Sequence, residues 1–173
     1  MNKVFLGLGS NKGNRLANLS KAISALNQDI KCETVNISSV YESYPYGPVH
    51  QNDYMNLVLE LKTDYELLEL FRVCKKIEDE IGRTKTVRWG PREIDIDILL
   101  FGSTVYNGVL VSVPHKYLCE RDFVLVPLAE LDPEIILPGT NKKAKEYLNS
   151  GLPKYIFKKY PNTVLNLYGE AIV

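Results

Sequence analysis

Residues 88–102 read RWGPREIDIDILLFG. In this run Ile94, Ile96 and Ile98 alternate with Glu93, Asp95 and Asp97, the period of two that marks a half-buried strand. Residues two apart share a face of a strand, so the isoleucines predict a core-facing side and the carboxylates an opposite side, with Asp95 and Asp97 about 6.6–7 Å apart along the chain. The commonest reason for such a polar face is simple solvation. Aspartate is nevertheless a poor strand former, and neighbouring carboxylates repel unless a cation compensates them. Oxygen-only donors with no histidine in the run suit Mg²⁺, which takes one or two carboxylates and completes its shell with water and substrate phosphates. Directly upstream, GRTKTVRWGPR (82–92) places Arg83, Lys85, Arg88 and Arg92 close together, and its Gly90-Pro91 pair predicts a loop. Arginine forks hold phosphate oxygens bidentately, so a basic loop running into a pair of metal-binding acids reads as a phosphoryl-transfer constellation.

Outward from this strand, residues 3–9 read as a first strand and SNKGN (10–14) as the turn into a helix over 14–28, with Leu16, Leu19, Ile23 and Leu26 as its apolar stripe. Residues 31–42, carrying Val35, Ile37 and Val40, predict a second strand, and SYPYGPVHQN (43–52) supplies two prolines and a glycine for a loop. A third strand is expected over 54–61. A longer helix is expected from an N-cap at Asp64, with Leu67, Leu68, Phe71, Cys74, Ile77 and Ile81 on its apolar face and Gly82 at its end. The order is then β-α-β-β-α-β, which predicts an α+β, ferredoxin-like core with a mainly antiparallel sheet. Short elements follow over 105–150. The last stretch, LPKYIFKKYPNTVLNLYGEAIV (152–173), is expected to add an edge strand or to pack loosely.

Composition narrows the function classes. The 173 residues are 45% hydrophobic and 24% charged, which suits a single globular domain over the whole chain rather than a disordered or fibrous one. With 21 basic and 21 acidic residues, no global field attracts nucleic acid or an anionic membrane, so any anion site must be local. The apolar run near the amino terminus is too short for a secretory signal, and no segment reaches the roughly 20 apolar residues of a membrane span. Cys32, Cys74 and Cys119 are odd in number, widely spaced and free of CxxC, which predicts buried thiols and a cytoplasmic location rather than disulfides or zinc.

On the third strand, YMNLVLEL, Met55, Leu57, Leu59 and Leu61 share one face and leave Tyr54 and Asn56 side by side on the other. A flat heterocycle could stack on the tyrosine while the amide reads its edge, although an exposed pair beside a loop is the plainer explanation. Trp89, the only tryptophan, anchors its loop or closes over a substrate. Gly7, Gly9 and Gly13 follow a strand and open a helix, with Glu33 twenty residues beyond Gly13, so a dinucleotide site is an alternative; its spacing, GxGxxxG, is one residue too long. His50 and His115 have no partner at nucleophile or zinc spacing.

These residues taken together resemble a known family, 6-hydroxymethyl-7,8-dihydropterin pyrophosphokinase of folate biosynthesis. RWGPREIDIDILLFG is similar to its signature, and further matches run in order from 7 to 133: GLGSN, YESYPYGP, QNDYMN, KKIEDEIGR and VPHKYLCERDFVLVPLAELDP. The resemblance implies transfer of pyrophosphate from ATP to the primary alcohol of the pterin with release of AMP. It implies Asp95 and Asp97 as ligands of two Mg²⁺ ions that bridge the ATP phosphates. Tyr54 and Phe123 fall where aromatics sandwich the pterin, and Asn56 with the backbone of Ser43, Tyr44, Pro45 and Tyr46 where its edge is read. By the same resemblance Arg83 and Arg92 are catalytic arginines and Trp89 the indole that closes on the pterin. His115 and Arg121 match phosphate-binding positions, and Glu78, Ile98 and Ser112 fall where ATP is held.

Departures from the family pattern bear on ATP affinity. Lys75 stands where glutamine is frequent, Lys85 where arginine is frequent, and Lys116 where an aromatic can follow the histidine; Lys75 and Lys85 are carried as ATP contacts. Glu93 lies outside the matched acids. The acceptor of the alcohol's proton is left open, Asp97 being one candidate. Residues 1–150 form the matched core and about 153–173 an unmatched extension. ATP and the pterin are the expected partners, with no nucleic acid or membrane, and a monomer is expected. Two other readings remain: a Mg²⁺-dependent kinase or nucleotidyltransferase for another heterocycle, and a single-stranded RNA-binding sheet, which zero net charge and the missing RNA-recognition motif disfavour.

Overall fold

The computed structural model describes residues 1–48, 50–82 and 90–165. In chain order the elements are β1 (Asn2–Ser10), α1 (Arg15–Gln28), β2 (Cys32–Ile37), β3 (Val40–Ser43), β4 (Tyr54–Thr63), α2 (Leu67–Ile81), β5 (Asp95–Phe101), β6 (Tyr106–Asn107), β7 (Ser112–Val113), α3 (Asp122–Leu131), β8 (Ile136–Leu137), β9 (Lys142–Lys143), α4 (Ala144–Leu148) and β10 (Ile156–Tyr160). The main sheet runs β10-β3-β4-β1-β5, with β2 also paired to β4, and each of its pairings is antiparallel. Among the described residues no helix is long and apolar enough to cross a membrane.

Alternation builds the two faces of this sheet. Val4, Leu6 and Leu8 of β1, Met55, Leu57, Leu59 and Leu61 of β4, and Ile94, Ile96 and Ile98 at β5 join one buried cluster with Leu19, Ile23 and Leu26 of α1 and Leu70, Cys74 and Ile77 of α2. Each fully buried aliphatic here contributes about 1.5–3 kcal/mol of hydrophobic stabilisation. On the opposite face Phe5, Val58, Leu99 and Leu100 pack with Leu118, with Val124, Leu125 and Leu128 of α3, and with Ala144 of α4. The register shifts between Phe5 and Leu6, where Leu100 and Ile98 are their partners on β5; this bulge breaks the alternation, so Leu99 and Leu100 both join the second cluster.

The ferredoxin-like order therefore holds, with three differences from the sequence reading. The second strand is two strands: Ser38 interrupts it, its N–H donating to the Val58 carbonyl (3.0 Å) and its hydroxyl accepting from the Val58 N–H (2.9 Å). Helix α2 starts at a reciprocal capping box between Glu66 and Glu69 rather than at Asp64, whose carboxylate lies 3.4 Å from the N-terminal ammonium. The buried stripe of α2 runs through Leu70, Cys74 and Ile77, and Leu68, expected on it, is 37% exposed. The extension does supply an edge strand: β10 pairs with β3, from Ile156 opposite Ser43 to Tyr160 opposite Val40.

Glu130 of α3 ties that helix to β3. Its carboxylate accepts the Ser39 N–H (3.2 Å), the Ser39 hydroxyl (2.7 Å) and the Tyr41 hydroxyl (2.6 Å). Burial pushes this carboxyl up, but the hydrogen bonds from Tyr41 and Ser39, helped by Lys159, outweigh it and hold it below the ordinary 4.5. A depressed carboxyl stabilises the fold above its unfolded pKa and loses that contribution as pH falls through its folded value. Glu130→Gln sets an amide against these donors and is expected to cost about 1–3 kcal/mol of unfolding free energy at pH 7. In urea unfolding monitored by circular dichroism, the gap from wild type should shrink below pH 4.5; a gap independent of pH would refute the role given to this carboxylate.

Candidate active site

Two rows of residues cross the uncovered part of the sheet's second face. In the first, Gly9 of β1 pairs with Asn56 of β4 on one side and Asp95 of β5 on the other; in the next, Gly7 pairs with Val58 and Asp97. Glycine at both central positions leaves the floor clear. A Cβ on Gly9 would lie 3.1 Å from Asn56 Oδ1 and 3.6 Å from the Tyr54 ring, and one on Gly7 would press on Leu99 at 3.2 Å. These glycines lie inside a strand, which removes the phosphate-turn geometry that a dinucleotide site needs. Above the floor is a cavity of about 370 Å³, within the range of small-molecule sites.

One wall of the cavity is aromatic and polar. Tyr54, Tyr44, Tyr46 and Phe123 line it, and the buried Asn56 amide donates to the Ser43 hydroxyl (2.9 Å). The other wall is charged: Asp95 and Asp97 are surrounded by Lys75, Arg92, His115, Lys116 and Arg121. A chain of zero net charge thus concentrates cations at one place, as a local anion site requires. Arg92 Nη1 lies 2.7 Å from Asp95 Oδ2, and His115 Nε2 lies 3.8 Å from Asp97 Oδ2. The Tyr117 N–H donates to His115 Nδ1 (3.3 Å), so the neutral ring carries its proton on Nε2, toward Asp97. Burial pushes the His115 imidazolium pKa down, against the attraction of Asp97. Burial pushes Asp97 up, and Asp95 adds to that rise.

Several sequence candidates sit elsewhere. Ile98 is a core residue, 3% exposed, and with Ser112 it borders a smaller adjoining cleft of about 180 Å³ that shares Asp97, His115 and Lys116 with the main cavity. Glu78 does not line either cavity. It is 1% exposed, and its Oε1 accepts the Ile96 N–H (2.7 Å) and the Lys75 ammonium (2.7 Å), so it holds β5 between the two aspartates. Pro45 is not among the cavity's lining residues. Arg83, Lys85 and Trp89, with Arg88, lie outside the described residues. Glu93 pairs with Lys12 at 2.7 Å and precedes the strand.

Other contributors had no periodic or charge signal. Asn11, 1% exposed, accepts the Arg92 N–H on Oδ1 (2.8 Å) and donates its own N–H to the Arg92 carbonyl (3.2 Å). Its Nδ2 donates to Gln51 Oε1 (2.9 Å) and to the Asn52 carbonyl (3.0 Å), tying the loop before β4 to the residue that enters β5. Tyr117 faces Arg121, whose guanidinium carbon is 4.7 Å from the Tyr117 and Tyr46 ring centroids and 5.8 Å from that of Phe123. Such a cation–π cage fixes a charged side chain at the junction of the two walls.

Residues 5–133 match the family described as 7,8-dihydro-6-hydroxymethylpterin-pyrophosphokinase. The 2-amino-4-hydroxy-6-hydroxymethyldihydropteridine pyrophosphokinase of Aquifex aeolicus is 45% identical over 147 residues, covering 85% of this chain and 91% of that protein. The protein of the same name from Bacillus subtilis is 38% identical over 145 residues, 84% of this chain and 87% of its own. The folic acid synthesis protein fol1 of Schizosaccharomyces pombe is 34% identical over 98% of this chain, which spans only 22% of that longer protein. Among solved structures, wild-type Plasmodium falciparum HPPK-DHPS with SDX-DHP superposes with a TM-score of 0.68 at 18% identity, over 86% of this chain and 43% of that one. At that identity the likeness is one of fold.

Proposed function

The chain belongs to the 7,8-dihydro-6-hydroxymethylpterin-pyrophosphokinase family, and from that premise we propose how its cavity transfers pyrophosphate from ATP to the hydroxymethyl group of the dihydropterin, releasing AMP in a Mg²⁺-dependent reaction. One observation carries the reading. The two rows of the sheet face set an edge-reading amide, Asn56, level with one carboxylate, Asp95, and place the second, Asp97, one row further on. A ring read at Asn56 and flanked by Tyr54 and Phe123 projects its side arm toward the charged wall, where ATP phosphates are held.

Asp95 and Asp97 are the residues that would hold Mg²⁺. Two carboxylates fit an ion that shares its shell with phosphate and water, and among the described residues no group of three or more His, Cys, Asp or Glu forms a closed cage. When bound, Mg²⁺ neutralises phosphate charge and aligns the attacked phosphorus. The chain's own groups do the rest. Asn56 and the aromatics orient the alcohol, and Arg92, His115 and Arg121 bind phosphate oxygens whose charge grows as the alcohol oxygen bonds to the β-phosphorus and the bond to the AMP oxygen breaks. Ile98 and Ser112 at the adjoining cleft, with Lys75, are assigned to the nucleotide. Arg83 keeps the catalytic role, Lys85 the ATP contact and Trp89 the closing role that the family resemblance implies. The working unit we propose is a monomer.

Incubation of the full chain with ATP, Mg²⁺ and hydroxymethyldihydropterin tests this directly. One AMP per pterin pyrophosphate is expected, with turnover lost on chelation of Mg²⁺. Release of ADP or of free pyrophosphate in place of AMP would overturn the reading.

A further inference from the structure

The chain beyond residue 153 lies outside the family match, which ends at residue 133, yet it reaches the aromatic wall of the cavity. The Tyr155 ring meets Phe123 edge to face, with centroids 5.8 Å apart and planes at 88°, and meets Tyr46 at 5.6 Å. Phe123 and Tyr46 line the cavity, whereas Tyr155 stands behind them. Its main chain is held from both sides of that wall. The Tyr44 N–H donates to the Tyr155 carbonyl (3.0 Å). Asp122, 7% exposed and adjacent to Phe123, accepts the Tyr155 and Ile156 N–H groups on one carboxylate oxygen at 2.8 and 3.1 Å.

We infer that Tyr155 is a positioning residue for the heterocycle and sets affinity for it from behind the cavity wall; this rests on the pterin reading of that cavity. Phe123 and the 43–46 segment sit at the N-terminus of a helix and at a strand end, and neither element alone fixes how Phe123 stands across from Tyr54. The Phe123 and Tyr46 rings meet each other at 6.3 Å, and the ring of Tyr155 packs against both while its backbone is bonded to Tyr44 and Asp122. The slot is thereby ordered before the ligand arrives, and a flat ring entering a preordered slot loses less conformational freedom on binding. Tyr155 reaches the phosphate wall only indirectly, through Tyr46 and Phe123, which also face Arg121 at 4.7 and 5.8 Å, so its effect falls first on the heterocycle.

Steady-state kinetics of the full chain with both substrates test the assignment. Wild type must first form AMP and pterin pyrophosphate; if it does not, the functional reading fails, and this inference with it. Given that activity, Tyr155→Leu is expected to raise KM for the pterin about 10-fold, the scale of losing preorganisation of one or two side chains. KM for ATP and kcat should change less than KM for the pterin, since Tyr155 reaches the phosphate wall only through the rings that cage Arg121. Tyr155→Phe keeps the ring and should match wild type. An unchanged pterin KM in Tyr155→Leu, an equal rise in both KM values, or equal impairment in Tyr155→Phe would each overturn the inference. Should Tyr155→Leu fail to fold, Asp122→Asn loosens the same tether with little change of shape; a selective rise in pterin KM then supports the inference, and an unchanged one refutes it.

Discussion

Asp97→Ala is expected to lower turnover by on the order of 10³-fold, with Asp95→Ala close behind, because in the mechanism we propose each removes a carboxylate that would hold the charge-neutralising cation, a contribution of several kcal/mol at about 1.4 kcal/mol per tenfold in rate. Neither side chain is part of the core: both face the cavity from β5 while Ile96 and Ile98 are buried on the opposite side. Stability should therefore separate from activity. Burial pushes Asp97 above its ordinary 3.8, and Asp95 adds to the rise, against His115, Lys75 and Arg121. A carboxyl raised in the folded state contributes stability only below its unfolded pKa and loses it as pH rises through the folded value. At neutral pH without metal, then, removing Asp97 relieves a cost, and the melting temperature of Asp97→Ala should equal or exceed that of wild type. Concentrating two carboxylates at one site is an expense of function that the fold carries. Wild-type rates in either variant would remove both residues from the mechanism, and a variant that melts well below wild type would turn its lost activity into a folding defect.

Arg92→Ala is the second large effect. The Arg92 guanidinium sits 2.7 Å from Asp95, and its backbone is clamped in both directions by Asn11, so the donors are held in place before phosphate arrives. Removing one preorganised donor from developing transition-state charge costs roughly 10²–10³ in kcat. Because the Arg92 fork is paired with Asp95, although Tyr54 is near enough to act on its charge, pterin affinity measured by titration should fall far less than kcat. Arg92→Lys keeps the charge but not the fork, and should recover only part of the rate. A fall in pterin affinity with kcat preserved would contradict the assignment of Arg92 to the phosphates.

How much of this was legible in the sequence varies with the range of the interaction. The alternation in EIDIDI identified a strand with a buried and a polar face, and the structure places Asp95 and Asp97 together in the cavity with Ile96 and Ile98 opposite. Leu19, Ile23 and Leu26 on α1 and Cys74 and Ile77 on α2 follow the same local rule of period, whereas the buried Leu70 lay outside the expected stripe. The signal failed where a local pattern was overruled by a neighbour. Ser38 splits the second strand because it bonds to Val58, a residue of another strand. Glu66 displaces Asp64 as cap because Glu69 completes a reciprocal box, whereas Asp64 faces the N-terminal ammonium.

The sequence alone determined the element types, the α+β order and the residue types of a phosphoryl-transfer site, since hydrophobic period and turn chemistry act over a few residues. Tertiary structure alone decided which of those residues meet. Gly7 and Gly9 became the cavity floor only once β1 lay between β4 and β5, and Glu78 turned from an ATP candidate into the acceptor that holds Ile96. Tyr155 likewise joined the aromatic wall only when β10 added itself to β3. Contacts between residues tens of positions apart depend on strand pairing and register, and no period in the chain encodes them.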